Sequence, residues 1–251
     1  MKLSHMLVVG LISLSTHGGA ASAAGALKGA QGTVHRSWRI PILMYHYVEE
    51  TMRPGDLLGK RLAVSPEVLA RQLDALKSLG YRSANFRRLS TGNLPRKAII
   101  LTFDDGYEDA YTAALPVLKA HGMVATFFIV PGFLGKPGYL TWHQLIILHD
   151  AGMEIGAHSM THSNLAKLTA GQQRHEIDES IRELEEKIGE PIRSFAYPSG
   201  RYSRVTVGLV QKAGIAFAVT TKSGTATSKD DPWRLPRVRV QSATDFQRLL
   251  H

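Results

Sequence analysis

The sequence predicts an α/β fold, a distorted (β/α) barrel of about seven parallel strands. Short apolar segments rich in β-branched residues alternate with longer amphipathic ones along most of the chain. Such alternation places parallel strands side by side with helices outside them. With 251 residues, of which 44% are hydrophobic, the chain is long enough for one sizeable domain or at most two. A barrel fits this length and number of strands better than an open sheet.

The first 23 residues resemble a secretory signal peptide. Lys2 supplies a positive start, residues 6–14 are apolar, and Ala21, Ser22 and Ala23 form a small-residue cleavage pattern. The apolar run is shorter than the ~20 residues that a transmembrane helix needs. We therefore expect signal peptide 1–23, a linker over 24–38 and an exported protein without a transmembrane segment after cleavage. It would act in the periplasm, at the cell envelope or in the medium.

Eight strands are predicted from short apolar runs. The first carries His46 near its carboxyl end, and a histidine on an apolar strand is commonly a core residue. In chain order the strands are residues 39–48, 81–85, 98–103, 124–130, 153–157, 193–198, 217–221 and 235–240.

The helices are predicted from apolar stripes and end signals. In the first, Ser65 is an N-cap, Pro66 takes the first helical position and Gly80 ends the helix. It is followed by helices at residues 107–121, 141–151, 169–189, 203–214 and 243–250. Residues 49–63, 86–95 and 131–139 are predicted loops.

Two adjacent carboxylates end the third predicted strand. Asp104, Asp105 and Gly106 follow residues 98–103, at the strand end where α/β proteins keep their chemistry. Adjacent residues of a strand point to opposite faces, so both acids serve one site only if the strand ends at them. One would then bind a cation and the other move a proton. The alternative is a solvated turn with aspartate as a helix N-cap.

Two histidines follow another predicted strand. His158 and His162 are four residues apart, and on one helical turn both side chains would lie on the same face and reach one ion. Two histidines and a carboxylate leave positions open for water and substrate, as in a catalytic zinc site or one for a related divalent ion. Because the chain holds 11 histidines, this spacing can arise by chance and is by itself weak evidence for a metal site.

Composition excludes several other functions. The chain has no cysteine, which excludes disulfides, thiolate ligands and a cysteine nucleophile. The net charge of +9 predicts attraction to anionic surfaces such as cell envelopes. Nucleic-acid binding is not predicted, because the Arg87-Arg88 pair lacks interleaved aromatic residues.

Four segments resemble the motifs of the polysaccharide deacetylases of carbohydrate esterase family 4, the NodB-homology group. They are Thr102-Phe-Asp-Asp-Gly106, His158-Ser-Met-Thr-His162, Arg193-Ser-Phe-Ala-Tyr-Pro-Ser-Gly200 and Asp231-Pro-Trp-Arg-Leu-Pro-Arg237. The resemblance implies a deacetylase domain over residues 39–251, with its core NodB-homology region at about 96–251. It also implies the distorted (β/α) barrel.

The resemblance assigns roles to residues of these motifs. It implies Asp104 as the general base. Asp105, His158 and His162 would bind one divalent metal ion, with zinc expected and cobalt or nickel as alternatives. The substrate and the reaction's oxyanion would lie against Tyr197, Pro198 and Ser199, with the backbone N–H of Ser199 as oxyanion donor.

The family's catalytic acid is a histidine in a Leu-x-His motif. His46, in Leu43-Met-Tyr-His46, is a better candidate than His251, because Leu249-Leu-His251 closes an amphipathic helix. Placing this strand first resembles the circularly permuted subgroup that deacetylates poly-β-1,6-N-acetylglucosamine. The Phe195-Ala-Tyr-Pro198 sequence within the third motif also resembles that subgroup.

Two positions depart from the family pattern. Ala196 stands where an arginine commonly holds the catalytic base, so Arg237, or alternatively Arg193, would take that role. Ser199 stands where a tyrosine is usual. These departures bear on substrate preference more than on reaction type.

Together these features predict a metal-dependent hydrolase that removes N-acetyl groups from an N-acetylglucosamine-containing polysaccharide and releases acetate. The alternative enzyme is an esterase for O-acetyl xylan or another glycan. A non-catalytic glycan-binding module is a third hypothesis, expected if a ligand or the base were missing. A metal-dependent phosphoryl hydrolase typically needs more oxygen ligands.

Overall fold

The computed structural model describes residues 37–49 and 62–250. The predicted signal peptide, most of the predicted linker and residues 50–61 of the predicted loop lie outside them. The described strands are β1 (Arg39–Ile40), β2 (Ile42–Tyr45), β3 (Tyr47–Val48), β4 (Ala63–Val64), β5 (Arg82–Ala84), β6 (Ala98–Phe103), β7 (Thr126–Ile129), β8 (Glu154–Ala157), β9 (Ser194–Ala196), β10 (Phe217–Ser223), β11 (Ala226–Thr227) and β12 (Leu235–Arg239).

The described residues also form seven α-helices. They are α1 (Pro66–Ser78), α2 (Phe86–Thr91), α3 (Leu115–Ala120), α4 (Trp142–Asp150), α5 (Ala170–Ile188), α6 (Arg204–Lys212) and α7 (Phe246–Leu250). A π-helical turn, Ala110–Ala114, leads directly into α3. In the part of the chain that the structure describes, no helix combines the length and the apolar composition needed to cross a bilayer.

The predicted barrel is confirmed, and seven parallel strands form it. Around the ring they run β2, β12, β10, β9, β8, β7 and β6. The ring closes because β2 pairs with β6 from Ile42–Ile100 to Tyr45–Phe103. Strand β5 pairs with the first half of β6, Arg82 opposite Ala98, and lies outside the ring.

Side-chain alternation along the strands divides the core in two. One apolar cluster fills the barrel and includes Ile42, Ile100, Phe128 and Leu235. The larger cluster lies between the strands and the helices. Inside the barrel, Gly156 makes room for Phe128, because a Cβ there would lie 2.6 Å from that ring.

Helix α2 corrects the prediction that residues 86–95 form a loop. The Asn85 side chain caps it by accepting the N–H of Arg88 at 3.0 Å, and Gly92 ends it at a φ of 72°. Phe86 packs against Phe128, with ring centroids 6.0 Å apart, which places α2 against the barrel interior. A helix this short has too few apolar positions for its periodicity to be recognised.

Two other predictions need correction, and the remaining elements are confirmed with shifted ends. The predicted strand 39–48 is three strands, and only β2 enters the barrel. Strand β1 pairs antiparallel with β11. Strand β3 pairs with β4, whose first residue lies in the predicted loop 49–63. The helix predicted from residue 107 begins at Ala110, because the chain first turns at Gly106, whose φ is 76°.

A buried carboxylate holds α2 against the barrel. Glu154 accepts the backbone N–H of Arg87 at 3.0 Å and the hydroxyl of Ser194 at 2.8 Å. Burial raises the pKa of Glu154, and these hydrogen bonds only partly oppose that effect. The folded protein therefore holds the proton on this side chain to higher pH than the unfolded chain does.

This pKa shift predicts a pH-dependent loss of stability. The stability that protonated Glu154 contributes is complete below the unfolded-state pKa, about 4.3, and is lost as pH rises through the folded-state pKa. We expect Glu154→Gln, which stays neutral, to flatten this part of the profile and to match or exceed the wild type at pH 7. Urea unfolding of both proteins, at pH values from below about 4 to about 7, measures how the free energy of unfolding depends on pH. A Gln variant that parallels the wild type at every pH would contradict the prediction.

Candidate active site

The two adjacent carboxylates reach one cleft because the chain turns sharply between them. Strand β6 ends at Phe103, and Asp105 has a φ of 76°, a left-handed conformation that non-glycine residues rarely adopt. In a continuous strand the two neighbouring side chains would point to opposite faces, but this turn brings them to the same side. Both Asp104 and Asp105 therefore line the same cavity at the carboxyl end of the barrel.

That cavity has a volume of about 330 Å³. All of the predicted site residues except Pro198 and Arg237 line it: His46, Asp104, Asp105, His158, His162, Tyr197 and Ser199. Pro198 and Arg237 are buried and do not line it. The structure thus gathers residues from five separate stretches of the sequence.

Three side chains form a group that fits a metal ion. Ligand atoms of Asp105, His158 and His162 all lie within 4.8 Å of one another, and Oδ1 of Asp105 is 3.4 Å from Nε2 of each histidine. Tetrahedral zinc with ligands at about 2.0–2.2 Å separates its ligand atoms by roughly 3.4 Å. The donor set and its spacing therefore suit zinc or a similar divalent ion.

The expected helical turn between the two histidines is wrong. Residues 158–163 form no helix, and both Ser159 and His162 have positive φ, 60° and 59°. The side chains converge because of this loop's shape and not because of helical periodicity.

His158 has a fixed ring orientation. Its Nδ1 donates a hydrogen bond to the carbonyl oxygen of Ala196 at 2.6 Å, which leaves Nε2 to face Asp105. A backbone carbonyl behind a metal-binding histidine sets its tautomer in this way. Burial alone would lower the pKa of His158, but Asp105 and Asp104 raise it above its ordinary value.

Asp104 is held by the buried Arg237. The guanidinium donates from Nη1 to Oδ1 and from Nη2 to Oδ2, both at 2.7 Å, and Nε donates to the Thr220 carbonyl at 3.0 Å. Arg193, the alternative partner, is exposed and donates to the Gly214 carbonyl. Burial would raise the pKa of Asp104, but the charge and hydrogen bonds of Arg237 hold it well below its usual range.

His46 lies beside this pair, directly after β2. Its Nε2 is 3.9 Å from Oδ2 of Asp104, close enough for both to contact one substrate group. Burial lowers the pKa of His46, against the opposing charges of Asp104 and Asp105. Within residues 37–49 and 62–250, its buried Nδ1 has no hydrogen-bond partner. The competing His251 lies outside the described residues.

The third motif forms a tight turn at the cleft. Tyr197 is fully buried, and its hydroxyl donates to the Trp233 carbonyl at 2.9 Å, which ties the third motif to the fourth. Pro198–Gly200 is a 3₁₀ turn in which Ser199 has a φ of 51°. A Cβ on Gly200 would lie 2.1 Å from the Thr221 hydroxyl, so glycine is required there.

The sequence prediction missed five residues that line the cleft: Tyr47, Leu62, Tyr107, Thr221 and Arg239. Tyr47 and Tyr107 stack with ring centroids 4.1 Å apart, and the Tyr47 hydroxyl donates to that of Tyr107 at 2.8 Å. They are 60 residues apart in sequence, so no local pattern connects them. Arg239 lines the cleft two residues beyond Arg237, and strand alternation from Arg237 was a usable signal for it.

Comparisons with known proteins agree on one family. The model of the polysaccharide deacetylases matches residues 91–218. The chain is 32% identical over 207 residues to YxkH of Bacillus subtilis (strain 168), whose name places it among the polysaccharide deacetylases, covering 80% of this chain and 71% of that protein. It is 25% identical over 226 residues to the poly-β-1,6-N-acetyl-D-glucosamine N-deacetylase of Staphylococcus epidermidis, covering 80% and 78%. The structure of the Streptococcus pyogenes deacetylase PplD in complex with acetate has a TM-score of 0.79 and 31% identity, covering 86% of this chain and 98% of that chain.

The buried pair predicts a large difference between two arginine variants. Arg237→Gln leaves the Asp104 carboxylate buried without its counter-charge, so we expect a loss of roughly 3–5 kcal/mol in the free energy of unfolding. Arg193→Gln, at the exposed alternative position, should change it by less than about 0.5 kcal/mol. Urea denaturation of both variants measures this, and equal losses would contradict it.

Proposed function

The chain belongs to the polysaccharide deacetylase family, and from that premise we propose that it is a metal-dependent hydrolase that removes N-acetyl groups from an N-acetylglucosamine-containing polysaccharide. The observation that carries this proposal is one cleft with two parts. A metal-binding group of Asp105, His158 and His162 lies beside a carboxylate, Asp104, that a buried arginine holds.

The ion would be held by Asp105, His158 and His162. When bound, such an ion polarises an acetyl carbonyl and makes water more acidic. Two histidines and one carboxylate favour zinc, with cobalt or nickel as alternatives. Asp105 is committed to the ion, which leaves the neighbouring Asp104 free for proton transfer.

Asp104 is the general base of the proposed reaction. Arg237 fixes both of its oxygens, so the carboxylate keeps one orientation throughout. Because the charge and hydrogen bonds of Arg237 hold its pKa low, Asp104 is a carboxylate at neutral pH and can accept a proton from the attacking water. The attacking water oxygen forms the new bond to the acetyl carbon.

His46 and the turn at Ser199 complete the site. The backbone N–H of Ser199 stabilises the oxyanion as it develops. When the carbon–nitrogen bond breaks, protonated His46 donates a proton to the leaving nitrogen, and the negative charges of Asp104 and Asp105 beside it favour that protonated form. The products are acetate and a free amine on the sugar. Tyr197 lines the wall that the acetylated sugar would contact, and Pro198, buried next to it in the chain, supports that wall.

The finer substrate assignment rests on similarity and on sequence. The poly-β-1,6-N-acetyl-D-glucosamine N-deacetylase of S. epidermidis aligns over 80% of this chain, which supports that polymer. The Leu43–His46 strand that comes first supports the circularly permuted subgroup. We place the deacetylase domain at residues 39–251, exported by signal peptide 1–23, with its basic surface toward an anionic envelope. An O-acetyl glycan esterase could use the same residues.

Acetate release tests the proposal directly. We expect the mature chain to release acetate from poly-β-1,6-N-acetylglucosamine, chitin oligomers or peptidoglycan, to stop with a chelator and to recover with zinc or cobalt. Release from acetylated xylan alone would support the esterase instead. Sugar binding without turnover, while metal is bound, would support the glycan-binding module and contradict the proposal.

Substitutions of the two adjacent carboxylates should have different effects on zinc binding and turnover. Asp104→Asn should keep zinc but lose nearly all turnover, because only the base is removed. Asp105→Ala should lose zinc as well, since a ligand is removed. Zinc titration and acetate release measure both effects, and Asp74→Asn, an exposed carboxylate with a side chain 70% accessible, is the control. Zinc loss in the first variant with normal binding in the second would reverse the assignment.

A further inference from the structure

The loop between the two metal-binding histidines has an unfavourable backbone. Ser159 and His162 both adopt positive φ, 60° and 59°, although neither is glycine. Such conformations cost about 1–3 kcal/mol each and persist only where the surroundings enforce them. Neighbouring groups must therefore hold this loop in shape.

The two histidines are supported very differently. His158 is oriented from β9 by the 2.6 Å bond to Ala196, and its side chain is 3% exposed. His162 has a side chain that is 29% exposed, and none of the described residues forms a hydrogen bond with its ring. Its other contacts are with Asp105 and with the rings of His158 and Phe133. Apart from these contacts, the position of His162 depends on the backbone that carries it.

Glu176, on α5, holds that backbone. Its Oε2 accepts the N–H of Thr161 at 2.8 Å, and its Oε1 accepts the Thr161 hydroxyl at 2.6 Å. Its own carbonyl oxygen accepts the N–H of Met160 at 2.9 Å. One residue thus makes three hydrogen bonds to the two residues that precede His162, and it is itself 8% exposed.

The loop is also held from its other side. The N–H of Gly132 donates to the carbonyl oxygen of Met160 at 3.0 Å, and a Cβ on Gly132 would lie 2.5 Å from that oxygen. Met160 is therefore clamped between the Pro131–Phe133 turn and α5. With this side fixed, Glu176 determines the direction in which the chain leaves toward His162.

We propose that Glu176 is a positioning residue that sets His162 in place for metal binding. It contacts neither the ion nor the substrate, and it acts through Thr161. This inference rests on the proposed function, because it requires His162 to be a metal ligand. Partners of this kind typically change metal affinity by 10–100-fold when they are removed.

Glu185 provides a matched control for a purely structural role. It lies on the same helix, and its Oε1 accepts a backbone N–H, that of Ile192, at 2.9 Å. Its contact is with the segment after α5 and not with the histidine loop. If Glu176 only stabilises the fold, the two glutamates should behave alike toward metal.

The test compares Glu176→Gln with Glu185→Gln. Glutamine keeps the size of the side chain but removes its charge and replaces one acceptor oxygen with a donor. The N–H and the hydroxyl of Thr161 can then no longer each donate to an oxygen of residue 176 in the present geometry, and the hydroxyl must turn toward the Ser163 hydroxyl 2.8 Å away. Zinc affinity is measured by competition with a chromophoric chelator, the cobalt absorption spectrum reports the ligand geometry, and thermal unfolding is measured in chelator. We expect zinc affinity to fall 10–100-fold in Glu176→Gln, with an altered cobalt spectrum, and to stay unchanged in Glu185→Gln.

A milder variant covers the case in which Glu176→Gln does not fold. Thr161→Val removes the hydroxyl but keeps the backbone N–H that Glu176 also accepts. It should lower zinc affinity in the same direction but by less. Wild-type zinc affinity in a folded Glu176→Gln, or in Thr161→Val when the first variant is unfolded, would overturn the proposal.

The outcomes separate this inference from the proposed function. A wild-type chain that binds zinc but releases no acetate contradicts the proposed function, and the affinity comparison still decides the role of Glu176. A chain that releases acetate while both glutamine variants bind zinc equally overturns only the present inference. A wild-type chain that binds neither zinc nor cobalt nor nickel overturns both.

Discussion

The buried pair of Arg237 and Asp104 is the interaction on which the site depends. An isolated charge inside the barrel would cost several kcal/mol, so the guanidinium and the carboxylate are stable there only together. Arg237 is 1% exposed and Asp104 4%, and the arginine also bonds the carbonyl of Thr220 and the hydroxyl of Thr102. The pair therefore joins three strands, β6, β10 and β12, at the point where the cleft begins. The same contacts therefore orient Asp104 and stabilise the carboxyl end of the barrel.

The positive φ of Asp105 gives the two neighbouring acids different surroundings. Asp104 stays with the barrel interior and its arginine, whereas Asp105 turns toward His158 and His162. A strand that continued for one more residue would place them on opposite faces. The backbone also turns through a left-handed conformation at Ser159, His162 and Ser199, which are the other non-glycine residues with positive φ among those described. Every one of these residues lies in the cleft or in the histidine loop, so backbone strain is concentrated where the chemistry is expected.

The sequence was sufficient for the barrel and for the kinds of residue at the site, but not for the geometry. Strands buried on both faces are recognisable as continuous apolar runs, which is why β6, β7 and β8 were found. Helix α2 was missed because its burial depends on Phe128, which is distant in sequence. The convergence of His158 and His162 was expected for the wrong reason, since residue types do not reveal a left-handed serine or histidine. Nothing in the spacing indicated Glu176, because its role comes from tertiary contacts with Thr161.

Anomalous diffraction from crystals grown with zinc is the most direct measurement of the central claim, that Asp105, His158 and His162 hold one divalent ion beside Asp104. We expect a single strong peak in the cleft, about 2.0–2.2 Å from Oδ1 of Asp105 and from Nε2 of both histidines, with the Arg237–Asp104 bonds intact. A peak that Asp104 ligates in place of Asp105, or a fully zinc-loaded crystal with no peak at these three residues, would contradict it.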